Sequence, residues 1–107
     1  MESQTRQWLE EALFDLLATK KSLHNISIAE LSDHAQIARR TFYRYYHSKE
    51  QVLTDYLDRL IQDYIIELQT EKLTNFEDLV NFFFRYWSQH TESLKILQDA
   101  NLLVLIF

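Results

Sequence analysis

Cysteine, glycine and proline are all absent from the 107 residues. Without cysteine there is neither a disulfide framework nor a thiolate zinc site. Without glycine there is no phosphate-cradling glycine loop. Without glycine or proline the tight turns of a β-rich fold have poor material, so an all-α fold is expected, its turns built from Asn, Asp, Ser and Gln. Long apolar runs are missing as well. The longest, Leu102 to Phe107, falls far short of the roughly 20 residues that a membrane span needs. The opening residues, MESQTRQW, are polar, so no secretory signal is expected, and the lack of thiols suits a reducing, cytoplasmic setting. His24, His34, His47 and His90 show no metal-ligand spacing, and no nucleophile–base pair or set of paired acids stands out. Neither an enzyme, a metal nor a cofactor is expected.

What is present is apolar and aromatic surface: 47% hydrophobic and 14% aromatic residues, enough for a real core in a short chain. The net charge of −5 argues at first against a nucleic-acid partner, but its distribution reverses that. Residues 1 to 53 carry seven Lys/Arg against seven Asp/Glu, and residues 54 to 107 four against nine. Between Gln36 and Lys49 there are four basic residues and no acid. A local cationic patch counts for more than the total when phosphates are to be met.

Hydrophobic periodicity predicts six helices. Helix one runs from Ser3 or Thr5 to Thr19 on a Leu9, Leu13, Leu16, Leu17 stripe. Ser27-Ile28-Ala29-Glu30 is a capping box opening helix two, whose buried stripe is Ile28, Leu31 and Ala35. The turn is Gln36-Ile37-Ala38, and helix three covers about Arg39 to Tyr45. Phe42 and Tyr46 share its inner face. Ser48-Lys49-Glu50-Gln51 is a second capping box, opening a helix of about five turns. Thr74-Asn75-Phe76-Glu77 is read as a third. The helix it opens, carrying Phe76, Leu79, Val80, Phe82, Phe83, Phe84, Tyr86 and Trp87, is apolar on most sides and is expected to be buried in a bundle. Helix six is expected to run from Thr91 to the end. Six terminal apolar residues without a cap raise the expectation that the natural protein continues, or that another chain covers this end.

Two short helices joined by a three-residue turn make a helix-turn-helix, whose second helix enters the major groove. Arg39 and Arg40 supply planar forks that match guanine O6 and N7. Thr41, Tyr43, Tyr45 and Lys49 can donate to phosphates and fix register. Arg44 lies between the two tyrosines.

These residues resemble the TetR family of bacterial transcriptional regulators. The family pattern reads approximately I-T-V, then I-A-x-x-A-G-V-S-x-x-T-F-Y-x-Y-F-x-s-K-x-x-L. Here it stands as Ile26-Ser27-Ile28, then Leu31-Ser32 with Ala35-Gln36-Ile37-Ala38-Arg39-Arg40-Thr41-Phe42-Tyr43-Arg44-Tyr45-Tyr46-His47-Ser48-Lys49, and Val52 at the last apolar position. The resemblance covers about residues 5 to 65. It implies phosphate contact and capping for Ser27, base or phosphate contact for Arg39, Arg40 and Thr41, and phosphate clamping for Tyr43, Tyr45 and Lys49. Two residues depart from the pattern. Gln36 replaces a glycine that often takes positive φ, at a cost of about 1 kcal/mol if that conformation is kept. Ala38 replaces the serine that caps helix three, also worth about 1 kcal/mol.

The resulting expectation is a helix-turn-helix domain over residues 1–50, and a connecting helix with part of a ligand-binding and dimerisation domain over 51–107. The implied function is a sequence-specific DNA-binding repressor that reads an operator in double-stranded DNA. It would be a homodimer in its full-length form, answer to a small-molecule effector and make no membrane contact. Tyr86 and Trp87 are the candidate pocket residues. The alternative is a helical protein–protein interaction module that does not bind DNA, which the acidic, aromatic second half would suit.

Overall fold

The computed structural model describes residues 2–105, and the side chains of residues 4–104. The described residues contain helices and turns and no strand. The helices are α1 (Glu2–Lys20), α2 (Ile28–Ala35), α3 (Arg39–Tyr45), α4 (Lys49–Thr70), α5 (Phe76–Trp87) and α6 (Thr91–Asp99). Single 3-10 turns follow α5 at Ser88–His90 and α6 at Leu103–Leu105.

One apolar cluster holds α1 to α4 together. Leu9, Leu13 and Leu17 of α1, Leu31 of α2, Phe42 of α3, and Val52 and Leu53 of α4 are fully buried in it, with Ile26 from the α1–α2 loop. The same cluster takes in Leu97 and Ala100, so α6 returns to pack on α1. A second, smaller contact joins the middle of α4 to α5. There the buried Tyr86 hydroxyl donates to the Leu60 carbonyl at 2.8 Å, and Tyr64 stacks on Phe82 with ring centroids 5.5 Å apart.

The lack of glycine has a visible consequence at the helix ends. Among the described residues, three adopt the left-handed conformation: Lys21 (φ 56°), Gln36 (φ 60°) and Asn101 (φ 60°). After α2, the Gln36 N–H donates to Asp33 O and the Ile37 N–H to Ser32 O. After α6, the Asn101 N–H donates to Gln98 O and the Leu102 N–H to Leu97 O. Both are Schellman closures, which satisfy the last carbonyls of a helix and usually place glycine at the left-handed position.

Three sequence expectations are corrected. Helix six does not run to the end, because the Schellman closure at Asn101 stops α6 at Asp99; Ile106 and Phe107, on which part of the terminal apolar argument rests, lie outside the described residues. The third N-cap is Asn75, not Thr74. Asn75 Oδ1 accepts the Asp78 N–H at 2.8 Å, and the Asp78 carboxylate reaches back to the N–H and hydroxyl of Thr74 at 3.1 and 2.8 Å. Those two bonds hold the Asp78 carboxyl below its usual range. Lastly, α5 is not enclosed in a bundle among the described residues. Only Phe82 and Tyr86 are buried, while Phe76 and Phe84 are 77% and 65% exposed. A helix apolar on most sides can bury only the stripe that a neighbour covers, and here α4 covers one.

Candidate nucleic-acid interface

The α2–turn–α3 unit is set by its caps. Ser27 has extended backbone and its Oγ accepts the Glu30 N–H at 3.0 Å. The other half of the expected box is absent. Glu30 turns instead to Lys20, 2.7 Å away on α1, and that ammonium holds the carboxyl below its usual range. Gln36 keeps the left-handed turn that the sequence suggested, and Ala38 begins α3 with extended backbone and no side-chain cap. At the far end, the Tyr46 hydroxyl donates to Asp55 at 2.7 Å, which fastens α3 to α4. Burial and then the Asp55 carboxylate push that phenol well above its ordinary range. Ser48 caps α4 by accepting the Gln51 N–H at 3.2 Å, and the Gln51 side chain takes the His47 N–H.

Phe42 and Tyr46 face inward, with ring centroids 5.9 Å apart. The opposite side of α3 is free. Arg39, Arg40, Tyr43 and Arg44 are exposed, and none of the three guanidinium groups has an ion-pair or hydrogen-bond partner among the described residues. Arg40 lies three residues from Tyr43 and four from Arg44, and Arg39 four from Tyr43, so all four sit on adjoining rows of one helix face. A short helix with an acid-free, cation-rich outer face and an aromatic inner face suits insertion between phosphate-lined walls.

The other expected residues sit differently. Thr41 is half-buried at the edge of this face. Tyr45 is half-buried and lines an open groove of about 440 Å³ together with Arg6, Asp55 and Asp58, so two carboxylates share its surroundings. The Ser27 hydroxyl serves α2's first turn. Lys49 is the clearest surprise, with its ammonium donating to the Ile26 carbonyl at 2.6 Å and the His24 carbonyl at 3.3 Å. Further contacts had no signal in the sequence: the Lys20–Glu30, Arg59–Glu10 and His34–Asp15 pairs, which tie α1 to α4 and α2, and the Tyr46–Asp55 bond.

Of the candidate pocket pair, Tyr86 is buried with its hydroxyl bonded to Leu60. Trp87 is half-buried against Tyr64 and His90, its indole N–H lacking a partner. No group of three or more His, Cys, Asp or Glu side chains that could hold a metal ion occurs among the described residues. No described helix is long and apolar enough to cross a membrane.

The family model for bacterial regulatory proteins of the tetR family matches residues 16–56. The HTH-type transcriptional regulator EthR of Mycobacterium tuberculosis (strain ATCC 25618 / H37Rv) is 33% identical over 92 residues, which cover 78% of this chain and 43% of that protein. The HTH-type transcriptional regulator YxbF of Bacillus subtilis (strain 168) is 34% identical over 64 residues, covering 60% of this chain and 17% of that protein. The chain thus spans less than half the length of these relatives.

Proposed function

From the match of residues 16–56 to the family model for bacterial regulatory proteins of the tetR family, we propose that this chain is the DNA-reading part of a cytoplasmic transcriptional repressor. It would read double-stranded operator DNA through the major groove with α3. The observation that carries this reading is the outer face of α3, where Arg39, Arg40 and Arg44 stand exposed and, among the described residues, unpaired. Arg39 and Arg40 approach base edges, while Tyr43 and Arg44 contact phosphates, with Thr41, Tyr45 and Ser27 at the margins.

The full-length protein would act as a homodimer, its two heads set about 34–36 Å apart to meet successive major grooves. A small-molecule effector bound beside α5, near Tyr86 and Trp87, would shift α4 and with it that spacing. Domain limits of 1–50 and 51–107 go with this reading. The helical interaction module is the weaker alternative, since both the family match and the relatives' names point to DNA.

The test is fluorescence-anisotropy titration of duplex DNA at several salt concentrations, using a duplex selected from a random pool and a random control. The selected duplex should bind more tightly, and log K should fall with log salt at about 0.9 per phosphate neutralised. Arg39→Ala with Arg40→Ala should cost about 1–3 kcal/mol per lost base contact on the selected duplex and much less on the random one. Equal losses on both would count against base reading, and no affinity for either duplex would refute the function.

A further inference from the structure

The α1–α2 loop presents three successive carbonyls, those of His24, Asn25 and Ile26, and lysine ammonium groups reach all three. Lys20, in the last turn of α1, donates to Asn25 O at 3.1 Å. Lys49, the first residue of α4, donates to Ile26 O at 2.6 Å and to His24 O at 3.3 Å. The loop's own backbone supplies little else: the Ile26 N–H bonds to Leu23 O at 3.1 Å, and no proline restricts its shape. Ser27, the N-cap of α2, follows directly on Ile26. Lys49 therefore connects the first residue of α4 to the residue before the α2 cap, across 23 positions of sequence.

Two of the three ammonium donors are used in this way. The shorter bond is charge-assisted and part-buried, conditions that make such a bond strong. A phosphate approaching here would have to share a side chain already engaged.

We propose that Lys49 is a positioning residue: its ammonium straps the α1–α2 loop, and through Ser27 the start of α2, to the first turn of α4. The angle at which α3 is offered to the groove then follows α4. The proposal rests on the reading of α3 as the DNA-contacting helix. It departs from a plain phosphate clamp, which would act only when DNA is present.

The experiment compares the 107-residue chain with its Lys49→Met, Lys49→Arg and Arg44→Met variants. Without DNA, amide hydrogen exchange at Ile26 and Glu30 should accelerate by about tenfold or more in Lys49→Met and stay near the parent value in Lys49→Arg. With DNA, Lys49→Met should lose preference for the selected duplex over the random one while keeping the parent salt slope. Arg44→Met should lose about 0.9 of that slope, and Lys49→Arg should restore the preference. Unchanged exchange in Lys49→Met together with a slope reduced by about 0.9 would overturn the proposal and make Lys49 a phosphate clamp. If Lys49→Met fails to fold, Lys49→Gln, polar and uncharged but with a side chain one bond too short to hold both carbonyls, takes its place, and unchanged exchange there overturns the strap equally. The exchange measurement needs no DNA, so failure of the DNA reading and failure of the strap are distinguishable.

Discussion

Ala38→Ser should make the protein more stable, by an amount that the other helix starts allow to be worked out. Ser27, Ser48 and Asn75 each hold extended backbone, and each accepts the N–H three residues on, at 3.0, 3.2 and 2.8 Å. Ala38 already has the required backbone, with φ −73° and ψ 148°, and lacks only the oxygen. A serine there would accept the Thr41 N–H. Position 38 is exposed, so no packing is disturbed. An N-cap of this kind contributes about 1 kcal/mol over alanine, and in a chain of this size 1 kcal/mol raises Tm by about 4–8 °C. Thermal unfolding followed by far-UV circular dichroism reads the shift, and the Thr41 amide should exchange more slowly in the variant. Ala38→Val, without a hydroxyl, serves as the control and should give no gain. A Tm for Ala38→Ser that stays put or falls would refute the claim that the first turn of α3 is under-capped.

Gln36→Gly should add about 0.5–1 kcal/mol, because glycine takes φ 60° without a Cβ penalty while giving back part of the gain as unfolded-state entropy; an unchanged or lower urea midpoint would contradict this. Ser32 is fully buried on α2 and its hydroxyl has no partner among the described residues, so Ser32→Ala should stabilise by about 1 kcal/mol, again read from the urea midpoint. Tyr46 bears on alkaline stability. Its phenol is held above its ordinary value of 10.0, so the unfolded chain loses this proton first as pH rises. The stabilisation is complete below about pH 10 and is lost above it, at up to about 1.4 kcal/mol per pH unit for the one group. Tyr86, also shifted upward by burial, acts with the same sign. Unfolding midpoints from pH 9 to 11.5 should fall less steeply in Tyr46→Phe, and parallel curves would contradict the assignment.

Features of the fold written in local chemistry could be read from the sequence. Ser27 and Ser48 announce their helices, and Gln36 and Ala38 mark the left-handed turn and the bare cap because each position has a definite backbone demand. The inner Phe42–Tyr46 face and the outer arginine face of α3 follow from helical spacing alone. The third cap is ambiguous in the sequence because Thr74 and Asn75 both cap well and both Glu77 and Asp78 can answer; only the geometry decides between them. The end of α6 is poorly marked in the sequence because Asn101 is a weaker stop signal than glycine. The exposure of α5 depends on which neighbours reach it, which its periodicity does not encode. Lys49 illustrates the same limit at the candidate site, since its partners are backbone carbonyls that every residue possesses.

The return of α6 to the first helix bears on how the molecule comes into being. A ribosome delivers the α3 surface long before it delivers Leu97 and Ala100, yet these last two belong to the same apolar cluster as Leu9 and Leu13. Closing that cluster joins contacts far apart in sequence, the kind that slow folding. During synthesis the nascent head would wait with part of α1 uncovered, and completion would come as a single late event when α6 docks. Full assembly of the reading head is thereby tied to the emergence of the segment beyond α5.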